Sequence, residues 1–381
     1  MSTSAQSPVL QPQDTLVAQL AGVQPGSALA AALATREEFL LNTEASGHVL
    51  FEGGDLQRLS LAQRLAFALA TSQAQADEQL IAHYGQRLAA VGGAPADDVR
   101  QQAALVHVQR LATAPVSAGQ ASLRALEAAG WSADAIVTLA QIVAYTSFQS
   151  RLVAGLRLIA GTAGQTMAVP VEVRAGTWHT QPQTGSGKPA PTAFTRDELG
   201  WEPWLAPRDH ATLTGSEAAK LEKAGHLRSD YFMLLARDLP VLEHRTRTDK
   251  GIFYSHGGLP RAERELAATV SSKVNGCIYC ASVHARKAAY LAGDVNAVDA
   301  LLAVAPGADL AAHQNPRWQA QIRLAAQLAA TPQAANASHL ATLRAMGLSE
   351  LELLDLVGSV AFFSWANRLM LTLGEPFLLV A

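Results

Sequence analysis

Cysteine is almost absent: the 381 residues contain two. That excludes a disulfide-stapled secreted scaffold, which needs several pairs. Charge of either sign is in no excess, with 29 Lys and Arg against 32 Asp and Glu. No basic cluster appears, so the electrostatic footprint of a nucleic-acid binder is missing. Aromatic residues are 6% of the chain, and Val and Ile are modest beside Ala and Leu. This favours helices over sheets. No apolar run is read as reaching membrane-spanning length, so no membrane partner is expected. The N-terminus, MSTSAQSPVLQPQD, lacks a charged segment followed by an apolar core, so no signal peptide is expected.

What is present is a large apolar fraction, 49% of residues, enough for an extensive core. The length suggests two domains or more. Both cysteines fall in one stretch, ELAATVSSKVNGCIYCASVH, from Glu265 to His284. Two residues separate Cys277 from Cys280, three more precede His284, and Glu265 lies twelve positions before Cys277. Asn275-Gly276 is a strong turn signal. The reading is helix, sharp turn, then a second helix with Cys277 in its first turn. Cys280 then lies at i+3 from Cys277, and His284 at i+4 from Cys280, all on one face. A thiolate at a helix N-terminus meets open N–H groups and a favourable dipole, which pull a cysteine pKa below its free value of about 8.5.

Such a pair suits thiol redox chemistry. A thiolate attacks a peroxide oxygen or a disulfide sulfur, and a neighbouring thiol closes a disulfide. The attack needs a proton relay, for which His284 is one turn from Cys280 and Glu265 sits on the preceding helix. The pattern Glu, eleven residues, Cys, two residues, Cys, three residues, His resembles the catalytic signature of the alkylhydroperoxidase D group. That group lies within the carboxymuconolactone decarboxylase-like superfamily, and NGCIYCASVHARKAAYLAG is similar to its usual helix start. The resemblance implies that Cys280 is the peroxidatic cysteine and Cys277 the resolving one, with Glu265 and His284 as the proton relay. It also implies no haem, flavin or metal cofactor. One departure is that the group carries a histidine just before the second cysteine, where this chain has Tyr279.

Other readings of the same residues stay open. A disulfide staple one turn long would constrain little of the unfolded chain. Cys277, Cys280, His284 and Glu265 are zinc ligands by type, although no second C-x-x-C is present. A thiol–disulfide oxidoreductase acting on a partner protein would use the same groups. A decarboxylase or lactone-processing enzyme has no need of the cysteine pair. A non-enzymatic binding module is the remaining reading.

Along the chain, residues 1–13 read as a disordered tail and residues 14–160 as helices. Residues 161–193 read as a linker or surface arm, with an extended segment at Val169–Val173. Residues 194–381 read as a second helical unit. Ser122 onward aligns without gaps on His339 onward. Gly130 meets Gly347, Ser132 meets Ser349, Tyr145 meets Phe362 and Arg151 meets Arg368. A weaker match sets Leu61 onward on Ala262 onward, with Arg64 opposite Glu265, Ala76 opposite Cys277, Gln79 opposite Cys280 and His83 opposite His284. Gly185-Ser186-Gly187-Lys188 lacks the spacing of a phosphate loop. Trp365, Asn367 and Arg368 are candidates for the pocket wall, and His256, Trp201 and Trp204 for surface or packing roles.

The expected fold is all-α, with two tandem alkylhydroperoxidase D-like domains, the first degenerate. The expected activity is reduction of hydrogen peroxide or a small organic peroxide by the Cys277/Cys280 dithiol. A lipoyl-type or thioredoxin-type dithiol would restore the reduced form. A cytoplasmic setting is expected, where a reducing pool recycles dithiols. The superfamily's habit of assembly implies a homo-oligomer, with a trimer favoured by analogy.

Overall fold

A computed structural model describes residues 10–163, 176, 178 and 181–379. The expected Val169–Val173 segment and residues 1–9 of the expected tail lie outside the described residues. Pro12–Asp14 forms a 3-10 turn with Pro12 buried, so order begins before residue 14.

The fold is all-α, with one small sheet. Two long helices, Ala133–Ala160 and Glu350–Leu373, pack against each other at its centre. Each starts at a serine whose hydroxyl accepts a first-turn N–H: Ser132 from Ala135, and Ser349 from Glu352. Both helices are apolar on nearly every face, which only a core position tolerates. Gly155 makes their close approach possible, since a Cβ there would lie 2.3 Å from Val357 Cγ1. Glu350–Leu373 does have the length and apolarity to cross a membrane, contrary to the sequence reading. Its apolar window is 94% buried, so packing inside the protein accounts for that composition.

Four helices flank the first long helix: Leu61–Ala74, Glu78–Ala90, Val99–Thr113 and Gln120–Ala128. The second has Arg261–Asn275, Ile278–Ala292 and Pro316–Ala329 around it, and Ala337–Ala345 packs on Pro316–Ala329 and on the first long helix. Glu37–His48 packs on Leu239–Phe253, where Gly251 faces the Phe39 backbone. The chain breaks between Asp230–Leu235 and Leu239–Phe253 at a 3-10 turn, Ala236–Asp238, and Pro240 lies in the first turn of the second helix. The cause is tertiary: the Thr138 hydroxyl donates to Asp238 at 2.7 Å and holds the turn. Leu199–Pro203 pairs antiparallel with Gly374–Leu378. The arm packs on this sheet. Gly185 N–H donates to Glu375, and Lys188 pairs with Glu202 at 2.7 Å while lying over the Phe377 ring.

Two fully buried arginines join the two groups of helices. Arg151 donates to Ala330 O at 2.8 Å, at the end of Pro316–Ala329. Arg368 donates to Ala112 O at 2.7 Å, in the last turn of Val99–Thr113. Each guanidinium lies at a helix C-terminus, where orphan carbonyls and the dipole favour a cation. Among the described residues neither makes an ion pair. Burial lowers both pKa values, that of Arg151 to about 9.

Local geometry also recurs 200 residues apart. Arg64 donates to Leu59 O and Leu50 O at 2.9 and 2.7 Å, and Arg264 donates to Leu259 O and Ile252 O at 2.8 and 2.7 Å. Ala76 and Gly276 both have positive φ, 55° and 78°. Asp77 and Cys277 cap the next helices with φ, ψ of −96°, 95° and −88°, 94°. The register read from sequence is therefore off by one. Arg64 corresponds to Arg264, Leu65 to Glu265, Asp77 to Cys277, Leu80 to Cys280 and Tyr84 to His284. Aligning His83 on His284 pulled it out of place, and one residue of slip turns every helical side chain by about 100°.

Candidate active site

Arg261–Asn275 ends at Gly276 in the left-handed region, and Ile278–Ala292 starts two residues later. The tight reversal sets the two helices side by side and aims Glu265 at the second one. Pro260 is the N-cap of the first helix, one position before its first turn. Cys277 is the N-cap of the second helix, and Cys280 is its third residue.

The structure brings Glu265 and His284 together. Glu265 Oε2 accepts a hydrogen bond from His284 Nδ1. In the neutral ring this leaves His284 Nε2 as the acceptor nitrogen. Glu265 is fully buried and the His284 side chain is 12% exposed. The other carboxylate oxygen accepts from Arg261 Nε at 2.6 Å. Arg261 also donates to Phe253 O and lies 4.3 Å over the Tyr254 ring. Burial pushes the Glu265 carboxyl up, but His284, Lys287 and Arg261 outweigh it and hold the group below its ordinary value. The His284 ring is wedged between Phe363 at 4.2 Å and Phe253 at 5.7 Å.

Both thiols are free and buried. The expected depression of a thiol at this helix start fails for Cys277. Burial, then the Cys280 sulfur beside it, push Cys277 well above the usual thiol range. The Asn367 amide acts in the other direction on the same sulfur. Asn367 is held by Asn275, which donates to its oxygen at 3.0 Å, and by Ser272, whose hydroxyl accepts from it at 3.0 Å. Among the described residues no three His, Cys, Asp or Glu side chains converge in a metal-holding cluster.

Of the proposed wall residues, only Asn367 reaches the site. Trp365 donates to Gln141 Oε1 at 2.8 Å between the two long helices, and Arg368 serves Ala112. His256 is exposed, and Trp201 packs on Tyr231. Residues not singled out from sequence complete the site. Arg261 precedes Glu265 by one turn, a spacing that the sequence does display. Phe253, Asp249, Tyr231 and Arg245 come from the preceding helices, which sequence alone does not dock here. Burial raises the Asp249 carboxyl, while Arg245, His284 and Lys287 oppose that rise.

A model of the carboxymuconolactone decarboxylase family matches residues 240–327. The match supports the superfamily for this segment. It contains Glu265, Cys277, Cys280 and His284, together with Arg261 and Phe253. Members of the carboxymuconolactone decarboxylase family are generally enzymes. No curated protein matches the chain significantly.

Proposed function

We propose that the protein is a dithiol peroxidase of the alkylhydroperoxidase D type. The observation that carries this reading is the buried Glu265–His284 pair on the helix face that bears Cys280. Cys280 is one turn before His284, so the two side chains share a helix face.

The chemistry follows from these groups. His284 Nε2 takes the proton from the Cys280 thiol, and Glu265 stabilises the resulting imidazolium. The thiolate attacks the terminal peroxide oxygen, the O–O bond breaks, and the imidazolium protonates the departing alkoxide to an alcohol. Cys280 is now a sulfenic acid. Cys277 attacks its sulfur, hydroxide leaves as water, and a Cys277–Cys280 disulfide forms. An external dithiol then reduces the disulfide and is itself oxidised to a disulfide. Because Cys277 is held protonated by burial, closure needs a base at that step. Both sulfurs are buried, which favours a slender reductant such as a lipoyl arm over a broad protein face.

The test is free-thiol and intact-mass analysis of the reduced protein before and after one equivalent of cumene hydroperoxide. Fast loss of two thiols and of two hydrogens is expected. Cys280→Ser should abolish peroxide consumption, and Cys277→Ser should stop at a sulfenic acid that dimedone traps. Thiols that ignore peroxide but oxidise with a small disulfide would replace this reading with thiol–disulfide exchange. Thiols inert to both would leave a decarboxylase-type reaction as the better account.

A further inference from the structure

The first group of helices has an open cavity at the place corresponding to the candidate active site. Leu50 and Ile252 both accept from the loop-holding arginines, which sets Phe51 against Phe253. The matching caps set Tyr84 against His284 and Arg87 against Lys287. The matching long helices set Tyr145 against Phe362. Ring contacts agree: Phe51 lies 5.1 Å from Tyr84 and 6.4 Å from Tyr145, and Phe253 lies 5.7 Å from His284 and 6.4 Å from Phe362. In the first group Phe51, Tyr84, Tyr145, Glu44, Glu52 and Arg87 line a cavity of about 410 Å³. That volume lies within the range of small-molecule sites.

We propose that this cavity binds a small organic ammonium ion with an apolar body, Glu44 taking the ammonium and the three aromatic rings the body. Dithiol chemistry is excluded there, because Asp77 and Leu80 stand where the cysteines would be. The phenols are already committed, Tyr84 donating to Gln149 Oε1 at 2.7 Å and Tyr145 to Thr43 O at 3.1 Å. Glu52 is occupied by His48 and Arg87, at 2.9 and 3.2 Å. Arg87 is thereby unavailable to an anion. Glu44 differs: it accepts the Leu16 N–H at 2.9 Å and makes no ion pair among the described residues. Burial, with Glu52 nearby, raises its carboxyl above the ordinary value against the opposing pull of the Leu16 N–H, His48 and Arg87, and a bound cation relieves the remaining penalty. The Arg87 guanidinium already lies 5.6 Å over the Phe51 ring, so the Tyr84 and Tyr145 faces are the ones left to add attraction for a cation.

The test is calorimetric titration of the full reduced chain with phenethylamine, phenylacetate and 2-phenylethanol, three ligands of one shape. Phenethylamine should bind at least about ten-fold more tightly than the other two. Glu44→Gln should weaken it about ten-fold while leaving thiol oxidation by cumene hydroperoxide unchanged. Leu41→Lys, at a half-buried wall position, should do the same by supplying a competing cation. Equal binding of the three ligands, preference for phenylacetate, no measurable binding, or amine affinity indifferent to both variants would each overturn the proposal. None of these outcomes bears on the Cys277/Cys280 chemistry.

Discussion

The turn at Ala76-Asp77 and the turn at Gly276-Cys277 share a backbone and differ in what that backbone carries. In the first, Asp77 is an ordinary N-cap, its carboxylate accepting the Leu80 N–H at 3.1 Å. In the second, Cys277 occupies the cap with no such bond, and Cys280 stands at the position of Leu80. A good N-cap contributes about 1 kcal/mol. Leu65 is plain core where Glu265 is a buried carboxylate. The active-site half therefore gives up a cap and accepts a buried charge. The scaffold residues Arg64 and Arg264 hold their loops alike in both. The proposed chemistry resides in four positions, and the rest of the hairpin is support.

Removing the relay is the largest way to break this comparison. Glu265→Gln and His284→Gln should each slow peroxide-driven thiol loss by about 10²–10⁴-fold, the usual worth of positioned acid–base groups. Tyr84→Phe, at the matching place, should leave the rate unchanged. Stopped-flow thiol kinetics checks both. Glu265 also predicts an acid limb. Its folded pKa is depressed, so it stabilises the fold above the unfolded value of 4.5 and loses that contribution as pH falls through the lower folded value. Urea unfolding of the wild type against Glu265→Gln should show a gap at pH 7 that narrows below about pH 4.5. A gap independent of pH would mean that the carboxylate is not paired as described.

The exchanged arginines test the join between the two groups of helices. Arg151→Met frees the Ala330 carbonyl and Arg368→Met frees that of Ala112. Each should cost about 1–3 kcal/mol, the penalty of a buried polar group left unsatisfied. The two guanidiniums also repel, Arg151 contributing to the depression of Arg368. Each single variant also relieves that repulsion, so the double variant should cost more than the sum of the single ones, and a double-mutant cycle by denaturant unfolding measures the difference. Strict additivity would mean that the two sites do not sense each other.

The helical fold was legible because Ser132 and Ser349 announce the long helices and Gly130 and Gly347 the turns before them. The meeting of Glu265 with His284 was legible because one hairpin carries both, so spacing sets their helices side by side. Register in the weaker match was not. A shared histidine outweighed the buried Arg64 and Arg264, whose role shows only in the loop carbonyls they hold. Nor were Phe253 and Tyr231 legible as site residues. The break at Ala236–Asp238 that aims their helices is set by Thr138, a hundred positions away. The thiol environment at Cys277 was misjudged for the same reason, since a helix N-terminus is local and burial is not.

The smallest test concerns one backbone angle. Ala76 has φ of 55° and Gly276 has 78°. Only glycine adopts this region freely, and an L side chain there costs about 1–2 kcal/mol. Ala76 is exposed in the turn between Leu61–Ala74 and Glu78–Ala90, so nothing in its packing repays that cost. Ala76→Gly should stabilise the protein by about 1 kcal/mol, less the entropy that glycine returns to the unfolded chain. Gly276→Ala should destabilise it by a similar amount and also displace Cys277, slowing disulfide closure. If Ala76→Gly is neutral while Gly276→Ala is costly, the two turns share an angle but not a mechanical role. In that case the hairpin before the cysteines is the stiffer one, held by the thiol geometry that it has to deliver.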